Sequence, residues 1–159
     1  MRGWPWTYDA PSCGSSSRRA PQWARRVGTE RLEKLAYIAI GGGVGAVLRY
    51  LVSGWGQRLA GGSTFPAGTL IVNVLGCLVI GALVAYFAGP HRVREEIRIA
   101  LLIGVLGGFT TFSTYAYETF SLLEDGQRLH AAMNVVLSNV LGLFAVWSGY
   151  RLVQHLRGA

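Results

Sequence analysis

The chain has 159 residues, 51% of them hydrophobic and only 14% charged, with a mean hydropathy of +0.34. Its formal charge is +7, yet seven of the fifteen Lys and Arg residues fall within the first 34 positions, and no basic stripe with interleaved aromatics runs along a folded segment. Nucleic acid is therefore not the expected partner, and two cysteines (Cys13 and Cys77) make neither a disulfide framework nor a metal site.

Residues 1–34 are rich in Pro, Ser, Arg and Trp and show no periodicity, which predicts a disordered basic tail. No apolar run of seven or more residues follows its charges before Leu35, so it does not read as a signal peptide. Its tryptophans, Trp4, Trp6 and Trp23, suit contact with a membrane surface.

Four apolar blocks follow, at about 35–56, 68–88, 99–120 and 131–153. Each is long enough to cross a hydrocarbon layer of about 30 Å at about 1.5 Å per residue. Residues 35–159 are thus expected to form one all-α integral membrane domain of four transmembrane helices, with both termini on the same side. That side carries twelve of the fifteen Lys and Arg residues, which predicts a cytoplasmic N-terminus. Without the tail the count is five against three, a near balance that suits a dual-topology protein whose copies insert both ways up. An orientation fixed by the tail is the competing outcome.

The third block contains Gly107-Gly108-Phe109-Thr110-Thr111-Phe112-Ser113-Thr114, inside nineteen uncharged residues between Arg98 and Glu118. A glycine pair followed by four hydroxyls is a poor lipid-facing helix. Such backbone is tolerated at membrane depth where it is buried in protein or lines a wet path. Asn73 sits mid-helix among apolar neighbours; its N–H donors suit an anion, while bonding between helices is the alternative role. Phe112 and Tyr115 share a helix face, and their positive ring edges can face an anion. Asn134 and Ser138 form a second polar stripe on the fourth block. Gly41/Gly45 and Gly104/Gly108 have the spacing that lets helices approach closely. Arg49 is expected to snorkel to a vestibule mouth and concentrate anions there, with an ion pair to Glu118 or to a lipid phosphate as the competing arrangement.

Three ordered motifs carry a specific resemblance: Gly41-Gly42-Gly43-Val44-Gly45-Ala46-Val47-Leu48-Arg49-Tyr50, Phe65-Pro66-Ala67-Gly68-Thr69-Leu70-Ile71-Val72-Asn73, and the octet at 107–114. From about 35 to 155 the chain resembles the Fluc fluoride channels (CrcB family). The resemblance implies four helices per subunit with a broken third helix, and an antiparallel dual-topology homodimer with two fluoride pores. It also implies a structural sodium ion at the dimer centre, held by the backbone carbonyls of Gly107 and Thr110. By position, Asn73 and Phe112 match the pore asparagine and the first pore phenylalanine. Ser113 and Thr114 match the polar track beside the rings, and Ser138 a serine of the fourth helix. Tyr115 stands where the second phenylalanine is usual, and Asn134 where some members have tyrosine.

The expected function is passive export of fluoride across the cell's inner membrane, by a multi-pass protein whose partners are the ion, lipid and a second copy of itself. Selectivity would come from Asn, Ser and Thr donors replacing the hydration of a small hard anion, beside a narrow aromatic constriction. The alternative is a small proton-coupled four-helix multidrug exporter, which needs a membrane carboxylate, usually in its first span. Here that span carries Arg49. A non-transporting scaffold would account for the glycines but not for the ordered hydroxyls and amides. An enzyme is not expected, because no nucleophile–base set is recognisable and His91, His130 and His155 lie at span ends.

Overall fold

The computed structural model describes residues 22–61, 63–89 and 93–158, with side chains from Arg31 onward. The described residues form α1 (Gln22–Leu59), α2 (Ala67–Phe87), α3 (Glu95–Ile99), a π-helical segment (Ala100–Val105), α4 (Leu106–Phe109), α5 (Phe112–Glu124) and α6 (Arg128–Leu156), and include no strand. Four stretches are long and apolar enough to cross a membrane: Arg31–Leu59, Ala67–Phe87, Glu95–Glu124 and Arg128–Leu156.

The helix boundaries follow local chemistry. Pro66 stands directly before α2, where a missing N–H leaves no helical bond unmade. Gly61 and Gly126 adopt positive φ (64° and 72°) just after α1 and α5, a conformation that favours glycine. At its N-terminus α1 departs from expectation: residues 22–34, anticipated as part of an irregular tail, are helical and continuous with the first span. Ala, Arg, Leu, Glu and Lys in this stretch are good helix formers, and an adjoining helix removes the cost of nucleation. The rest of the expected tail, residues 1–21, lies outside the described residues.

Side-chain bonds fix an up-and-down order. At one end Lys34 Nζ pairs with Glu95 at 2.8 Å, bringing α1 to the start of α3. At the same end Arg157, just past α6, donates to the Ala85 and Tyr86 carbonyls of α2, at 2.8 Å each. At the other end Thr64 Oγ1 donates to Gln127 Oε1 at 2.7 Å, joining the first and third connections.

Packing between spans depends on backbone proximity. A Cβ on Gly45 would collide with the Val105 carbonyl, and one on Gly108 with the Gly42 carbonyl. The same holds between α2 and α6, where Gly81 lies against the Val146 carbonyl and Gly149 against that of Leu78. Lipid is as apolar as a leucine side chain, so close van der Waals contact of this kind, rather than expulsion of apolar groups from water, associates membrane helices. Consistent with a lipid exterior, Val47, Tyr50, Leu143, Phe144 and Trp147 are all more than half exposed.

Candidate functional site

The third span loses its helical path at two residues. Thr110 (φ −81°, ψ 157°) and Thr111 (φ −149°, ψ 117°) are extended between α4 and α5. The Gly107-Gly108 pair weakens the helix before this point, and two β-branched residues in a row favour extended backbone. Thr110 N–H still reaches the Leu106 carbonyl at 3.0 Å, and Thr110 Oγ1 donates to that same oxygen at 3.0 Å. Thr111 does not continue the ladder. Its N–H donates to Asn73 Oδ1 at 2.9 Å, and its carbonyl accepts from Asn73 Nδ2 at 3.0 Å. Thr111 Oγ1 then accepts the Thr114 N–H at 3.2 Å and caps α5.

This diversion frees an oxygen. In an unbroken helix the Thr111 N–H would serve the Gly107 carbonyl, but here Asn73 takes it. Gly107 is exposed, and no atom lies within 4 Å of where its Cβ would stand.

Beside the interruption an open cavity of 380 Å³ is lined by Asn73, Gly107, Thr110, Phe112, Tyr115 and Ser138, with Cys77 and Asn139 on its wall. The Phe112 and Tyr115 rings lie 5.5 Å apart at an interplanar angle of 49°. Phe112 is 79% exposed, so the described residues leave most of its ring uncovered. Behind it, Thr111 also borders a second cavity, of 390 Å³, lined with Arg49, Ser53, Thr69 and Thr114. Arg49 Nη1 points to the Thr110 carbonyl at 3.5 Å. Glu118 instead accepts from Thr69 Oγ1 at 2.7 Å, and its other oxygen, buried, has no partner among the described residues. The anticipated competitor, an Arg49–Glu118 ion pair, does not form.

The structure therefore divides the residues singled out in the sequence. Asn73, Phe112, Tyr115 and Ser138 meet in one cavity together with Gly107 and Thr110, whereas Arg49 and Thr114 face the second. Ser113 borders neither; its hydroxyl lies 3.4 Å from Thr111 Oγ1. Asn134, which shares a stripe with Ser138, is 1% exposed and turned inward. Asn73 takes the role named as its alternative: it bonds across helices, with one amide hydrogen held by the Thr111 carbonyl and the other without a partner among the described residues. Thr111 and Thr69 were not among the expected site residues. Thr69 lies four residues before Asn73, hence on its helix face, and that spacing was the available signal.

Residues 36–150 match the family described as CrcB-like protein, Camphor Resistance (CrcB). The chain belongs to the CrcB family. Among its relatives is the fluoride-specific ion channel FluC of Geobacter sulfurreducens, 47% identical over 119 residues that make up 75% of this chain and 95% of that one. The channels of the same name in Geobacter metallireducens and Aquifex aeolicus are 45% and 44% identical, with the same coverage. These relatives are named as channels, not enzymes. As a CrcB-family chain with four spans it is a multi-pass membrane protein. The helical extension at 22–34 precedes the matched region.

Proposed function

We propose that this chain is one subunit of a fluoride-selective channel that lets the ion leave the cytoplasm passively across the inner membrane. One observation carries the reading: an amide, two aromatic rings and a hydroxyl converge on one open cavity beside a helix interruption at membrane depth. The remaining Asn73 N–H and the Ser138 hydroxyl are donors for a small hard anion. The edges of Phe112 and Tyr115 offer weaker, water-free contact that keeps the ion from binding too firmly to move. Arg49 and Thr114, in the cavity behind, supply positive potential and a further hydroxyl. Ser113 completes the polar track along the exposed side of α5. A proton-coupled exporter is less well supported, since Glu118, the carboxylate of α5 nearest the interruption, bonds Thr69 and borders a separate cavity.

The exposed Phe112 supports a second copy of the chain as the missing wall, and the resemblance makes that copy antiparallel. The near balance of flanking charge outside the tail suits such a pair. The carbonyls of Gly107 and Thr110 fit a sodium ion between the two copies. The first has lost its helical donor and belongs to an exposed residue, and both are neutral oxygens suited to a hard monovalent ion. When bound there, sodium would supply fixed positive charge beside the pathway and satisfy carbonyls that lipid cannot. Expression in cells deprived of their own fluoride export tests the function: growth in fluoride medium should recover. Equal sensitivity with and without the protein would refute it.

A further inference from the structure

Helix α5 carries both aromatic rings of the pathway, yet Leu122, near its C-terminal end, is its one buried residue. On the facing helix Ala131 and Asn134 are buried, one turn apart. Leu122 and Ala131 are thus the buried apolar residues of α5 and α6 nearest the turn that joins them. Toward the cavity the contact becomes polar. Asn134 Nδ2 donates to Thr119 Oγ1 at 2.8 Å, and Thr119 Oγ1 donates to the Tyr115 carbonyl at 2.8 Å. On the other side of the amide, Ser138 Oγ lies 3.5 Å from Asn134 Oδ1, at the long limit of a hydrogen bond. One turn beyond this tie, Tyr115 and Ser138 stand on opposite helices and both line the cavity.

We propose that Asn134 is a positioning residue: through Thr119 it sets how far the Tyr115 wall stands from Ser138, and so the width of the constriction. The inference rests on the channel reading above. Asn134 does not border the cavity, so its influence passes through the hydrogen-bonded chain. In a membrane interior, where apolar association is weak, this bond ties α5 to α6 while the Thr69–Glu118 bond ties it to α2.

The test uses the full chain reconstituted in liposomes, comparing Asn134→Leu, Thr119→Val, the double variant and Thr119→Ser. Each of the first two should slow fluoride efflux about threefold to twentyfold, the range for single interhelical bonds in membranes, and lower the fluoride-to-chloride ratio. The double variant should lose no more than either single one, because both break the same tie. Thr119→Ser keeps the hydroxyl and should retain wild-type selectivity. Unchanged selectivity in Asn134→Leu, or losses that multiply in the double variant, overturns the proposal. Should Asn134→Leu fail to assemble, Thr119→Val against Thr119→Ser decides it. Hydrogen exchange gives a readout independent of conduction. Amides at 112–119 should exchange faster in Thr119→Val than in the wild type, and equal exchange overturns the tie. Absence of any flux through the wild type would count against the channel reading alone.

Discussion

Asn73 grips the backbone of Thr111 through both halves of its amide, accepting at 2.9 Å and donating at 3.0 Å. The same contact that turns the third span aside thereby places an amide beside the aromatic pair. It also strips the Gly107 carbonyl of its helical donor. One residue on α2 shapes both the pathway and the candidate cation seat.

Replacing Asn73 by Asp removes the donor to the Thr111 carbonyl and sets a carboxylate against that oxygen. An anion entering the cavity would then meet like charge at low dielectric. A buried group deprived of its partner costs about 1–3 kcal/mol, so fluoride efflux should fall about fivefold to 150-fold. Efflux from liposomes, checked against the amount of folded protein, measures this. Wild-type throughput would mean that Asn73 acts only as packing.

Gly45→Val places a branched side chain on the Val105 carbonyl. Overpacking of this kind costs about 1–3 kcal/mol or more, so thermal unfolding in detergent should shift downward. Gly43, which meets no atom within 4 Å, is the control. Gly43→Ala should match or exceed the wild-type midpoint, since alanine is the better helix former by about 1 kcal/mol.

Cys77 borders the same cavity as Asn73 and Phe112. A small thiol-reactive cation or mercuric ion should reach it and block fluoride efflux in a Cys13→Ala background, and Cys77→Ala should abolish the block. Full efflux after stoichiometric labelling of Cys77 would place the pathway elsewhere.

Sodium exchange tests the seat proposed at the Gly107 and Thr110 carbonyls. Exchanging sodium for a bulky organic cation on both sides of the vesicles should reduce fluoride efflux slowly, over prolonged dialysis, with recovery on return of sodium. Efflux indifferent to that exchange would remove the ion from the account.

Much of this molecule was legible in the sequence because lipid imposes coarse rules. Apolar runs gave the four spans, and the four-residue glycine spacing marked Gly41, Gly45, Gly104 and Gly108 as places of close approach, although not that these pairs meet each other. The extended pair Thr110-Thr111 falls inside the octet that polarity had marked. What escaped were features that depend on partners distant in the chain. The π-helical segment at Ala100–Val105 has no compositional signature. The helix at 22–34 gains its order from the span it continues. Arg49 was legible as an intramembrane charge, but its choice of the Thr110 carbonyl over Glu118 depends on the turn at Thr111. The bond of Thr69 to Glu118 was hidden because it joins residues 49 positions apart.

The most direct test of the central claim is parallel efflux of fluoride and chloride from liposomes holding the purified chain, without a proton gradient. The account predicts rapid fluoride release that needs no pH difference, with negligible chloride release. Comparable chloride release, or fluoride release only when a proton gradient is imposed, would contradict it.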